Sequence, residues 1–171
     1  LGIATNTWDD YKHDYGGSGY NYKLTGHGGA IAFDIGAHDA IIKNSEFTYN
    51  YARRDGGAIN IADDAYNATI ENCNFTHNSA GDDGGAINWQ GGNGEVYNIT
   101  CNDNKAISTT GSSNGGTICL TGNNTNVTKS TFTKTYALIS GGAIFATGNN
   151  ITISDSAFSD CNVSLDVEET N

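Results

Sequence analysis

The sequence predicts an all-β chain wound as a right-handed parallel β-helix, a solenoid of about five coils with a non-repeating N-terminal segment. Three observations carry this. The tetrapeptide GGAI stands at 28–31, 56–59, 84–87 and 141–144, with GGTI at 115–118. A second mark keeps step with it: NSEFTYN (44–50), NCNFTHN (72–78), NITCNDN (98–104), KSTFTKT (129–135) and DSAFSDC (155–161) align without gaps. Between the marks Gly, Asn, Thr and Ser dominate, and apolar residues alternate rather than recur at helical spacing. A repeat of this length cannot bury its apolar face alone, so copies must stack.

Each column has a reason. The pairs Gly28 and Gly29, Gly56 and Gly57, Gly84 and Gly85, Gly115 and Gly116, Gly141 and Gly142 precede a strand. There the chain turns with another coil directly above and below, and glycine tolerates positive φ and close backbone approach. The strand itself reads in-out-in at Ile59-Asn60-Ile61 and Ile87-Asn88-Trp89, which predicts Asn60 and Asn88 as outward positions. A β-branched column follows at Ile42, Ile70, Val96, Val127 and Ile153, then Phe47, Phe75, Cys101, Phe132 and Phe158. Polar Asn72 and Asn98, between these two columns, predict a bend or bulge. Asn50, Asn78 and Asn104 form a polar column, expected as a ladder of stacked amides along the axis. Right-handed coiling follows from the handedness of parallel crossovers. The longest interval holds TTGSSN (109–114), expected as a turn protruding from the rod.

The flanks differ. Residues 1–25 carry Trp8, Tyr11, Tyr15, Tyr20 and Tyr22 among Asp9, Asp10 and Asp14. They are expected to cap the open end or form an incomplete coil, although aromatics beside carboxylates also suit sugars. The repeats occupy 26–161, and 162–171 is a C-terminal continuation or tail. With no initiator Met, the chain reads as a piece of a longer protein with further domains.

The net charge of −11 argues against nucleic acid and anionic lipid as partners. No apolar run approaches the roughly 20 residues that a membrane span needs, so direct insertion by this chain is not expected. The four Cys lack metal-site spacing. Cys73 and Cys101 are expected as free, buried fillers, with Cys119 and Cys161 left open. Sequons at Asn67, Asn74, Asn98, Asn123, Asn126, Asn150 and Asn162 suit glycosylation of a secreted chain.

Paired GGA[I/L/V] and FxxN marks, once per coil, resemble the polymorphic outer-membrane protein repeat, found also in adhesin-like surface proteins of bacteria and methanogenic archaea. The resemblance covers roughly 26–161 and is cleanest at 47–50 and 56–78. It departs at Cys101, Thr117, Thr135 and Cys161. It implies a secreted β-helix that presents surface for attachment to cells, glycans or matrix through an unidentified receptor, without catalysis and without a cofactor.

Two other classes compete. Many polysaccharide lyases and hydrolases are parallel β-helices, and they need carboxylates on neighbouring coils. The column before each Gly pair reads His27, Asp55, Asp83, Asn114 and Ser140, with Arg54 and Asp82 one residue earlier. Stacked Asp55 and Asp83, with Asp82 beside them, are the candidate ligand-binding carboxylates. The first two also form a candidate calcium pair. The alternative is that Asp and Asn simply start the turn before Gly-Gly. Only 8 Lys and Arg are present, too few for a groove built for acidic sugars. A structural stalk, binding nothing, is the third class.

Overall fold

The computed structural model describes residues 26–108 and 111–163, and all regular structure among them is β-strand. Four parallel five-stranded sheets run through the described residues, and each coil contributes one strand to each sheet. The first sheet contains Ile31–Phe33, Ile59–Ile61, Ile87–Trp89, Ile118–Leu120 and Ile144–Ala146. The second contains Ile41–Lys43, Thr69–Glu71, Glu95–Tyr97, Thr125–Thr128 and Ile151–Ser154. The third is built from Glu46–Thr48, Asn74–Thr76, Thr100–Asn102, Thr131–Thr133 and Ala157–Ser159. The fourth holds two-residue strands: Tyr51–Ala52, Ser79–Ala80, Lys105–Ala106, Tyr136–Ala137 and Asn162–Val163. The last of these belongs to the stretch read from sequence as a C-terminal continuation. The proposed cap over 1–25 and the remaining tail lie outside the described residues.

The expected columns are in register. Ile31, Ile59, Ile87, Ile118 and Ile144 pair in series, as do Phe47, Phe75, Cys101, Phe132 and Phe158. The β-branched column does the same. Stacking puts like rings face to face. Phe47 and Phe75 lie 4.9 Å apart at 5°, and Phe132 and Phe158 lie 5.0 Å apart at 6°. Cys101 sits between the two pairs, fully buried.

Corners are built by left-handed residues. Asn72 (φ +54°) and Asn98 (φ +50°) stand where a bend was expected, at the corner between the second and third sheets. The same conformation recurs at Asn67, Asn93, Asn124 and Asn150, and at Tyr49, His77 and Asp103. Asn adopts this region more readily than most residues because its side chain bonds locally, which accounts for part of the Asn content.

The Gly pair answers two demands at once. Gly56 has φ +66°, and a Cβ there would lie 2.1 Å from the Ile59 carbonyl oxygen. Gly57 has no such φ, but its Cβ would lie 2.0 Å from the Gly85 oxygen on the next coil. The first Gly folds over its own strand; the second lets the next coil approach.

This fold-over corrects one expectation. Asn60 and Asn88, predicted to face outward, are 8% and 2% exposed. The segment leading into the strand covers its outer side, and Asn88 Nδ2 donates to Asn60 Oδ1 at 2.9 Å. They are internal struts, not contact residues.

The other amide ladder is buried as expected. Asn50 Nδ2 donates to Asn78 Oδ1 at 2.9 Å, and Asn78 Nδ2 donates to Asn104 Oδ1 at 3.0 Å. Asn78 and Asn104 also donate to the carbonyls of Phe47 and Phe75. All four thiols are free, with only Cys161 partly exposed. Burial, then the charges of Asp83 and Asp55, push the Cys119 thiol up to about 12. Burial also raises Cys73 and Cys101. Native protein at pH 8 should therefore titrate one thiol readily with a disulfide reagent. The other three, buried and with their thiols pushed toward the neutral form, should react far more slowly until the chain unfolds. Four equally fast thiols in the native state would contradict this packing.

Candidate functional site

The residues before the Gly pairs stack in one column outside the first sheet. His27 Nδ1 lies 3.0 Å from Asp55 Oδ2. Asp55 Oδ1 accepts from the Asp83 backbone N–H at 3.1 Å. One coil further on, Asp83 Oδ1 accepts from the backbone N–H of Asn114 at 2.8 Å and from its Nδ2 at 3.1 Å. Ser112 Oγ donates to Asp83 Oδ2 at 3.0 Å. Each carboxylate thus braces the turn of the coil after it. Asp82 is held by Arg54 Nε at 3.0 Å and by Ser108 Oγ at 3.1 Å.

The structure therefore brings Asp55, Asp82 and Asp83 together, as their spacing predicted, and surrounds them with donors. Asp55 and Asp82 side chains are only 14% and 18% exposed. Among the described residues, no three or more His, Cys, Asp or Glu are grouped to hold a metal ion. In this arrangement each of the three carboxylates faces a hydrogen-bond donor of a neighbouring turn.

The stretch expected as a protruding turn, 109–114, is described only in part. Residues 109 and 110 lie outside the described residues, while Gly111 and Ser112 are exposed. Ser113 is fully buried and donates to the Ala106 carbonyl, and Leu138 N–H donates to Ser113 Oγ at 3.2 Å. Within this stretch Ser112 and Asn114 supply partners for Asp83, while Ser108, just before it, bonds Asp82. Sequence reasoning missed this, because the spacing of serines in a turn does not say which way it folds.

The two stacked aspartates titrate in opposite directions. Burial pushes Asp83 up, its Asn114 and Ser112 donors pull it down, and the Asp55 charge adds to the rise; the net shift is upward. For Asp55 burial again pushes up, but the His27 contact and the Asp83 N–H outweigh it, and the net shift is downward. A raised folded pKa makes ionised Asp83 a net cost once pH exceeds 3.8. A lowered one makes Asp55 stabilising above 3.8, and that stability is lost as pH falls through its folded pKa. Asp83→Asn, which keeps an acceptor for Asn114, should melt at or slightly above wild type at pH 7 and equal it at pH 3. Asp55→Asn should melt lower at pH 7, by roughly 2–4 °C per kcal/mol lost, and converge on wild type near pH 2. Equal losses from both substitutions at pH 7 would sink this assignment.

Other polar groups form outer ladders that sequence reasoning did not single out. His77 stacks on Tyr49 at 4.7 Å and contacts Asp103 at 2.8 Å, while His38 stacks on Tyr66 at 5.3 Å. The seven sequon asparagines, Asn67, Asn74, Asn98, Asn123, Asn126, Asn150 and Asn162, are all exposed.

Among known families, the model of the Chlamydia polymorphic membrane protein repeat matches residues 72–88. That segment runs from the FxxN corner at Phe75 through Asn78 to the Gly84–Gly85 pair, and so contains both marks of the repeat. Residues 72–88 are thus similar to a polymorphic membrane protein repeat, and they lie within a parallel β-solenoid. Comparison with curated proteins and with solved structures gives no match.

Proposed function

We propose that this chain is a rigid segment of an extracellular, surface-exposed adhesin-type protein, which attaches to cells, glycans or matrix without catalysis. The observation that carries the reading is the union of the repeat at 72–88 with four uninterrupted parallel sheets. Such a rod holds its outward side chains at fixed spacing, which is what a presenting scaffold needs. The match to the polymorphic membrane protein repeat at 72–88 supports a surface location. The exposure of the sequon asparagines supports an extracellular setting in which those outside the third sheet, Asn67, Asn98, Asn123, Asn126, Asn150 and Asn162, carry glycans. The bracing of Asp55, Asp82 and Asp83 by their own turns supports a scaffold role for them rather than acid–base catalysis.

A glycan array read together with reducing-sugar release tests the proposal. Retention without release is expected. Release of sugar from any polymer would make the chain a polysaccharide-degrading enzyme. Absence of binding to glycans, matrix and cells alike would leave a structural stalk.

A further inference from the structure

Over coils two to four one face of this acidic chain carries no charge, Glu46 standing at the matching outward position of coil one. On coils two to four, the third sheet turns outward Asn74 and Thr76, Thr100 and Asn102, Thr131 and Thr133, around buried Phe75, Cys101 and Phe132. None of the six is charged, although the chain carries −11. The neighbouring second sheet shows Glu71 and Glu95 at its outward positions, and the fourth shows Lys105. Strand pairing fixes the six side chains in a flat grid, about 4.8 Å apart along the axis and about 6.7 Å apart along each strand.

Their hydrogen-bonding capacity is also uncommitted. At the corners, exposed amides bond to one another: Asn98 to Asn72, Asn124 to Asn93 and Asn150 to Asn124. By contrast, Asn74, Thr76, Thr100, Asn102 and Thr131 make no side-chain hydrogen bond to the described residues, and only Thr133 pairs, with Ser159. At the edge of the same sheet stands Tyr49, 64% exposed. It stacks on His77, which Asp103 holds in place.

These features narrow the ligand. The grid has no Lys or Arg for a polyanion, and no central aromatic or Arg anchor of the kind that dominates protein interfaces. Hydroxyls and amides both donate and accept, which matches the hydroxyls of a sugar chain. A flanking aromatic ring suits the apolar face of a pyranose. We propose that the outward face of the third sheet, with the Tyr49–His77 stack at its edge, binds an uncharged polysaccharide laid across successive coils. This rests on the attachment reading above and assigns the surface and the ligand class to it.

The test is sedimentation with insoluble cellulose, chitin and β-1,3-glucan, with polygalacturonate as the charged comparison. The paired variant Thr100→Lys/Thr131→Glu keeps the net charge and places opposite charges on adjacent coils, so folding is retained and is checked by thermal melting. Tyr49→Ala removes the wall, and Thr69→Lys on the second sheet is the control. Wild type should be retained by at least one neutral polymer; the paired variant and Tyr49→Ala should each weaken retention tenfold or more, and Thr69→Lys should not. If wild type binds cells or other glycans and the third-sheet variants bind equally well, the face is misassigned while attachment stands. If wild type binds only the charged polymer, or no polymer at all, the proposal is overturned.

Discussion

Gly85→Ala should lower the stability of the rod by about 4 kcal/mol or more, at the upper end of single-substitution effects, and its melting temperature by roughly 10 °C. The added Cβ would lie 2.1 Å from the Gly116 oxygen of the next coil and 2.5 Å from the Lys105 carbonyl carbon. Both neighbours are backbone, so neither can swing away, and relief requires separating two coils. Gly84→Ala should cost a comparable amount by a different route. Its φ is +64° and its Cβ would meet the Ile87 oxygen at 2.2 Å, within its own coil. The comparison that isolates packing from conformation is Gly36→Ala. Gly36 also has positive φ (+82°), but nothing lies within 4 Å of its Cβ, so only the left-handed penalty of about 1–2 kcal/mol applies. Chemical denaturation of the three variants should rank Gly85→Ala and Gly84→Ala well above Gly36→Ala. Three equal losses would mean that coil contact does not set the GGAI motif.

Asn78→Leu should cost about 3 kcal/mol, although the replacement is apolar, similar in size and placed in a buried site. Asn78 is 1% exposed and occupies the middle of the amide ladder. Its Oδ1 accepts from both the backbone N–H and the Nδ2 of Asn50, and its Nδ2 donates to Asn104 and to the Phe47 carbonyl. Leucine strands donors and acceptors on two neighbouring coils, and each buried orphan costs about 1–3 kcal/mol. Asn50→Leu removes the donor at the ladder's first coil and should cost less. At the other end of the column, Thr135 already stands with its hydroxyl unpaired among the described residues. Equal losses at 50 and 78 would show that the ladder does not act as a chain.

The apolar columns were legible because each keeps one kind of side chain at a fixed place in nearly every coil, with Cys101 the exception in the Phe column. Ile59, Ile70 and Phe75 could be aligned by eye, and they pair as aligned. The fourth sheet was not legible, since strands as short as Ser79–Ala80 show no alternation. Nor was the burial of Asn60 and Asn88. Alternation says which face a residue points to, but not whether a turn from its own coil covers that face. The Asp55–Asp83 stack was found by spacing alone, while its donors came from Ser112 and Asn114 in an inserted turn whose path the sequence does not encode locally. The uncharged grid stands in the sequence as NFT, TCN and TFT, but its outward members vary between Asn and Thr and so form no single-residue column.

The central claim is stacking in register, and a distance across all five coils tests it most directly. Spin labels at Glu46→Cys and Ala157→Cys, in a Cys161→Thr background, mark the first and fifth strands of the third sheet, 111 residues apart in sequence. Four coil spacings place the two Cα atoms about 19 Å apart. Pulsed electron-spin measurements should then give one narrow distribution near that value, widened only by the label arms. A chain of that length without stacking would span roughly 60 Å, and a broad distribution centred there would contradict the coiled architecture and every assignment built upon it.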